Sequence, residues 1–278
     1  MKRIAGELQR QSTRIVLAGV ALVIVTRVAA VRWPDVLLLD VATPAGIVLV
    51  LLGLAAQFAP GLDAPGPPRT VHPPVTGRWR ALNSPASKVP SHGVRAYGQA
   101  YAVDLVYEPD DRERPAFGAG PGMRPPEDYP AFGQPVLSMV SGTVVRVRDG
   151  ARDHRSRTAW WSLLYLLFEG MVREIGGAGR VVGNHVVVAA EDGTFALVAH
   201  LRRGSAEVRE GDTVHAGQRI GQCGNSGNSS EPHVHAQLMD RASPAAARGL
   251  PLRFTGIRIG DGPVTDGMPA NNEHLSVS

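Results

Sequence analysis

Residues 41–59 contain no ionisable side chain and are rich in Val, Leu, Ala and Gly. As a helix, a stretch of that length spans the ~30 Å hydrocarbon core of a bilayer. Helices and closed barrels are the only backbone arrangements that satisfy every peptide group in lipid. A second apolar run, residues 15–26, precedes it, with Lys2, Arg3, Arg10 and Arg14 before it and Arg27 after it. A basic start and an apolar core also suit a signal sequence, but residues 41–59 are too long for a signal core. The two runs flank residues 32–40 and predict a membrane anchor of two helices over residues 1–59. The basic start predicts a cytoplasmic N-terminus. Two spans then return the chain to the cytoplasm, whereas one span, or a hairpin entered from outside, delivers it to the outer face.

The rest of the chain reads differently. Residues 60–90 contain Pro67-Pro68 and Pro73-Pro74 among Gly, Ser and Ala, a composition expected of an extended linker. Beyond them, 32 Gly and 22 Pro in the whole chain suit short strands joined by turns. Alternating segments at residues 99–107, 134–147, 183–188, 195–201, 208–221 and 233–238 predict a mainly β domain over residues 91–257, an antiparallel sandwich or barrel. Residues 159–175 are too apolar for a loop and lack strand alternation, so they read as one inserted helix. Its expected role is packing over the sheet, the other readings being a lid or a surface resting on a membrane. The polar residues 258–278 are expected to form a loose tail.

Several classes are excluded early. A formal charge of +4 without interleaved basic and aromatic residues argues against nucleic-acid binding. The single cysteine, Cys223, permits no intrachain disulfide and suits a packed loop residue. A biotinyl or lipoyl carrier needs a lysine at a hairpin tip, and the only lysines are Lys2 and Lys88.

The chemistry gathers near the end. Residues 224–235 read Gly-Asn-Ser-Gly-Asn-Ser-Ser-Glu-Pro-His-Val-His. Gly, Asn and Ser tolerate tight and left-handed turns. His233 and His235 then open a strand, where residues i and i+2 share a face. Imidazoles so placed can share a metal, or divide metal binding and proton transfer. Asp104 lies within an apolar strand and needs a partner, because burying an unpaired charge is costly.

The order Asp104, Ala-His200-Leu201, the Gly-Asp hairpin at residues 211–221 and the 224–235 loop resembles the lysostaphin/LytM-type zinc metallopeptidases. The resemblance covers roughly residues 92–240. It implies the duplicated hybrid motif, a barrel-sandwich hybrid fold, and cleavage of peptide cross-links in bacterial peptidoglycan. It implies Zn2+ held by Asp104 and His235. His200 and His233 would flank the water that attacks, one as base and both steadying the oxyanion. Asn225, Ser226 and Asn228 would line the substrate groove. The implied partners are peptidoglycan and, through the N-terminal segment, a membrane, with the catalytic domain on the outer face towards the wall.

One position departs from the family. Its first zinc ligand is usually a His four residues before the Asp, and here that residue is Ala100. His92, from an upstream loop, and His185, in a strand, are the candidates for a third ligand. His185 reads equally as a packed strand residue. Gln99 has the wrong strand parity. His72, His154, His215 and His274 read as solvated. Ala100 also motivates a second reading, a degenerate member that binds cell wall or activates a partner hydrolase.

Overall fold

The computed structural model describes residues 11–58 and 66–278. The basic residues Lys2, Arg3 and Arg10 lie outside the described residues. Two helices form a hairpin, α1 (Ser12–Arg32) and α2 (Leu37–Phe58). α1 continues through Arg27, because one charge leaves the peptide hydrogen bonds of a helix intact. Glycines let the backbones touch: a Cβ on Gly19 would sit 2.6 Å from the Gly46 carbonyl oxygen. Thr43 Oγ1 donates to Thr26 Oγ1 across the pair at 2.9 Å. Small residues and a buried interhelical hydrogen bond are how helices associate in lipid. Both segments are long and apolar enough to cross a membrane, and only 11% of each is buried, which does not suit the core helices of a soluble domain.

The remaining chain is mostly β. Its strands are β1 (Arg69–Val71), β2 (Gly77–Leu82), β3 (Val103–Tyr107), β4 (Met123–Arg124), β5 (Pro135–Leu137), β6 (Gly142–Arg148), β7 (Ser156–Arg157) and β8 (His185–Ala190). They continue with β9 (Phe195–Ala199), β10 (Thr213–Val214), β11 (Arg219–Gln222), β12 (Val234–Met239), β13 (Gly249–Leu250), β14 (Leu252–Ile259), β15 (Val264–Gly267) and β16 (His274–Val277). Helices α3 (Trp160–Ile175) and α4 (Ala178–Val182) lie between β7 and β8. A twelve-stranded sheet runs β1-β14-β16-β2-β3-β12-β9-β8-β6-β10, with β13 beside β12 and β15 beside β14. Its pairings are antiparallel except β1 with β14. β5 with β11 and β4 with β7 form small separate pairs.

The mainly β class is as expected, but three boundaries differ. Residues 69–82 are not linker: β2 lies between β16 and β3, with Trp79 and Ala81 in the core. The paired prolines flank β1 and β2 rather than preventing them. Residues 258–278 are not a loose tail, since β16 pairs with β2 and buries Leu275. Residues 96–101 form a 3-10 turn rather than strand, with Tyr97 and Gly98 at positive φ. β3 therefore begins only at Val103.

Alternation separates two faces. Val103, Leu105, Val186, Val188, Ala196, Val198, Val234 and Ala236 join Trp79 in the main core. The opposite face carries a register row from Asp104 through His235 and Ala199 to His185. Strand pleating thus aims every site residue of β3 and β12 away from the core.

α3 corrects another expectation. It does not pack its apolar residues over the sheet. Ser162 and Gly170 are its buried residues, while Leu164, Leu167, Phe168 and Met171 are exposed.

Candidate metal centre and cleft

The carboxylate of Asp104 is the meeting point. It is buried, and Asn83 Nδ2 donates to its Oδ2 at 2.8 Å. His92 Nε2 lies 3.0 Å from the same oxygen, and His235 Nδ1 lies 2.8 Å from Oδ1. His233 Nε2 stands 3.5 Å from Oδ1. Burial by itself would raise the Asp104 pKa. When the surrounding rings carry protons, the fields of His92 and His233 and hydrogen bonds from His233 and His235 instead hold it well below the usual carboxylate range.

His92 reaches this point by a loop, not by a strand. Ser91 N–H donates to the Ala100 carbonyl at 3.0 Å. Ser91 Oγ donates to the Gln99 carbonyl at 3.1 Å and lies 3.0 Å from His92 Nδ1. Since the serine proton is used on Gln99, His92 Nδ1–H donates to Ser91 Oγ, leaving the Nε2 lone pair towards Asp104. The backbone of residues 99–100 thus anchors the loop that carries the imidazole.

His235 is oriented the same way. Gln237 Nε2 donates to the Tyr97 carbonyl at 2.9 Å, which turns Gln237 Oε1 towards His235 Nε2 at 2.8 Å. In the neutral ring, the form that binds a metal, His235 Nε2–H is then the donor and Nδ1 presents its lone pair to Asp104. Two imidazole lone pairs and a carboxylate converge, their ligand atoms within 4.8 Å of one another. Contacts this short need positive charge among them, supplied either by ring protons or by a bound cation. Two His and one carboxylate is a donor set of hydrolytic zinc sites, and the outer hydrogen bonds are those that orient metal-bound histidines. The residues present fit the ion.

His200 and His233 stand beside this cluster. His200 follows β9 with φ +60, a left-handed conformation uncommon for a residue with a side chain. Its Nδ1–H donates to the Ser226 carbonyl at 2.8 Å, leaving Nε2 without the proton. Burial, then the neighbouring His233 and His235, push its pKa well below the ordinary imidazole value. His233 Nδ1–H donates to the Glu231 carbonyl at 2.8 Å. Burial would lower the His233 pKa, but the Asp104 carboxylate raises it. The His200 and His233 ring centroids are 4.7 Å apart.

A cleft of about 350 Å³ opens over these groups. His92, Asp104, His200, His233 and His235 all line it, with Asn228, Gln99, Leu166 and Glu174 among the walls. Gln99 therefore faces the cleft, because the turn at residues 96–101 cancels the strand parity. His185 is absent from this lining. It lies two strands from His235, with Ala199 between them. Its Nδ1–H donates to the Gly183 carbonyl at 2.8 Å, and its buried Nε2 has no hydrogen-bond partner among the described residues.

The groove residues divide. Asn228 lines the cleft, but Asn225 and Ser226 are fully buried. Asn225 Nδ2 donates to the His154 carbonyl and Ser226 Oγ to the Leu201 carbonyl, so both brace the loop from behind. His154 is buried against the Gly227 carbonyl rather than solvated, and His274 pairs with Glu108 at 2.9 Å. His72 is half-buried, its Nδ1 2.7 Å from the Pro73 carbonyl, whereas His215 is exposed. Cys223 is buried and its thiol pKa is pushed up by burial, as a packed residue's would be. Asn83, Ser91 and Gln237 were not singled out in the sequence. Gln237, two residues after His235 on the same strand face, was the one with a local signal.

Residues 165–247 match Peptidase family M23. That segment contains His200, His233 and His235 but neither Asp104 nor His92. The peptidoglycan DD-endopeptidase ShyA of Vibrio cholerae serotype O1 is 37% identical over 65 residues, which are 23% of this chain and 15% of that protein. The chain thus matches only a small part of that relative's length. The catalytic domain of the antimicrobial peptidase lysostaphin from Staphylococcus simulans aligns with a TM-score of 0.32 and 20% identity, over 67% of this chain and 87% of that one. A variant of the catalytic domain of the prophage-encoded M23 protein EnpA from Enterococcus faecalis aligns at 0.29 and 21%, over 50% and 87%.

Proposed function

Because this chain belongs to the LytM-type peptidases of family M23 through residues 165–247, we propose that it is a membrane-anchored zinc endopeptidase cutting peptide cross-links of bacterial peptidoglycan. The observation that carries the reading is the convergence of His92, Asp104 and His235 beside His200 and His233. His92 supplies the donor that Ala100 lacks, which favours an active site over a degenerate one. The ShyA likeness supports peptidoglycan as the substrate class.

His92 Nε2, Asp104 and His235 Nδ1 would hold the ion. Zinc, when bound, supplies a Lewis acid for the scissile carbonyl and lowers the pKa of water to about 7. His200 Nε2 takes the proton of the attacking water, its other nitrogen being committed to Ser226. His233 Nε2 donates to the charge that develops on the carbonyl oxygen and then to the departing amine. Asn228 and Gln99 offer amide groups to the peptide backbone of the substrate from the cleft walls. The α1–α2 hairpin holds the domain on the outer face of the membrane, with both hairpin ends outside.

The test is zinc content and release of peptides from purified cell-wall sacculi by the full chain, wild type against His235→Ala. Stoichiometric zinc and released peptides in the wild type, both lost in the variant, are expected. Negligible zinc in both proteins, with sacculi still bound, would replace the enzyme by a wall-binding member of the family.

A further inference from the structure

α3 is built inside out. The side it turns to the domain holds two half-buried leucines, Leu163 and Leu166, but is otherwise small or charged: Ser162 and Gly170 are buried, and Glu169 pairs with Arg157 at 2.6 Å and Arg173 at 3.4 Å. Arg173 also reaches Asn228 Oδ1 at 3.4 Å. The side it turns outward carries Trp160, Leu164, Leu167, Phe168, Met171 and Ile175. Trp160 is 77% exposed, Leu167 67% and Ile175 73%. A surface helix in water has the reverse arrangement, with its apolar stripe facing the core. A contiguous exposed stripe of large apolar residues implies a covering surface.

We propose that the outward face of α3 lies in the headgroup layer of the bilayer that α1 and α2 span. This rests on the membrane-anchoring reading above. Three observations favour the bilayer over a second copy or another protein. First, only residues 59–68 separate the end of α2 from β1, and ten extended residues reach about 35 Å at most. The bilayer is therefore always within contact distance of this domain. Second, the face mixes Trp160, Trp161, Tyr165 and Phe168 with Leu and Ile, the aromatic-rich composition of helices that lie at a lipid interface. Third, exposed Arg180 stands against Gly176, which ends α3, and exposed Arg148 against Gly179 of the next helix, α4, so both cations can meet lipid phosphates beside α3.

The placement has a consequence for substrate. Leu166 and Glu174 of α3 line the cleft, and a Cβ on Gly170 would lie 3.2 Å from Asn228 Oδ1. The helix is thus one wall of the site. With α3 in the headgroup layer the cleft stays at the membrane surface, so the strands it reaches are those closest to the membrane.

The experiment uses the full chain in vesicles of phosphatidylethanolamine and phosphatidylglycerol. Cys223→Ala removes the native thiol, and nitroxide labels are placed singly through Leu167→Cys, Ile175→Cys, Thr213→Cys and Val25→Cys. Each label is read for its accessibility to oxygen relative to a water-soluble nickel complex. Leu167 and Ile175 labels are expected to show an oxygen-to-nickel ratio several-fold above that of Thr213 at the exposed sheet edge. Adding Leu164→Glu and Phe168→Glu, both outward-facing, should return the Leu167 label to the Thr213 value. A Thr213-like value at Leu167 in the unaltered helix overturns the inference, whatever Val25 reads. A water-like value at Val25 defeats the anchoring reading separately, and Leu167 still decides this one. Spin–spin broadening between Leu167 labels of different chains, with low oxygen accessibility, overturns it in favour of a second copy.

Discussion

The two halves of the cleft are held in different ways. His200 and His233 are fixed by carbonyls of the nearby loop, Ser226 for one and Glu231 for the other. His92, Asp104 and His235 come from a loop and two strands, and their orientation depends on Ser91, Gln99, Tyr97 and Gln237. The first half centres on a motif: His233 has its support two residues away, and the same loop reaches back to hold His200. The second is an assembly, in which the fold carries an imidazole eight residues upstream of Ala100 to the Asp104 carboxylate. A metal centre needs lone pairs at a point in space, and it is indifferent to the sequence position that provides them.

The strongest way to break this comparison is His235→Ala, expected to abolish both bound zinc and peptide release. Metal analysis that finds full zinc in that variant would remove His235 from the centre. His92→Ala separates the halves next: zinc and activity are expected to fall together, because the assembled half loses a ligand. Unchanged zinc after His92→Ala would return the search to other donors. His200→Ala should do the opposite, keeping zinc while turnover drops by roughly 10²–10⁴, the range for a proton-transfer group. Parallel loss of zinc in that variant would merge the two halves into one. Gln237→Leu frees the His235 tautomer and should weaken zinc affinity by about 10–100-fold, as loss of an outer hydrogen bond to a ligand does. Competition with a chromophoric chelator measures it.

The smallest effect belongs to His185. His185→Phe should leave zinc unchanged, since the side chain does not line the cleft. Its consequence is in stability against pH. Burial lowers the His185 pKa from 6.5, despite the hydrogen bond to Gly183. The unfolded chain therefore takes up the proton first on acidification. Stability from this group is complete above pH 6.5 and is lost as pH falls from there through the folded value. The wild type should lose melting temperature below that pH, and His185→Phe should flatten part of the loss. An identical slope in both proteins would show that His185 is not buried neutral.

Much of the site was legible beforehand because its signals are local. The Gly, Asn and Ser loop, the strand after it and the apolar strand holding Asp104 all follow from turn chemistry and period-two alternation. Asn225 and Ser226 misled for the same reason: small polar residues in a loop suggest a groove, yet here they donate to buried carbonyls of neighbouring segments, His154 and Leu201. Gln99 misled because the strand reading was carried across a turn containing Tyr97 and Gly98 at positive φ. His92 and His185 were indistinguishable as isolated imidazoles, each with a plausible path to the carboxylate. The pattern of β2, with Trp79 between Arg78 and Arg80 and Ala81 after them, was present but masked by the neighbouring prolines.

From the sequence alone came the helical hairpin, the mainly β class, the helix of residues 159–175 and the motif half of the cleft. Each is encoded in a window of a few to some twenty residues, through periodicity, turn preference or the absence of charge. Only the tertiary structure decided that His92 stands where Ala100 has no donor, that β16 closes onto β2, and that α3 shows its apolar side outward. Those outcomes depend on which distant surfaces meet, and no local pattern carries that: a helix has one apolar face whether the protein or a membrane is there to receive it.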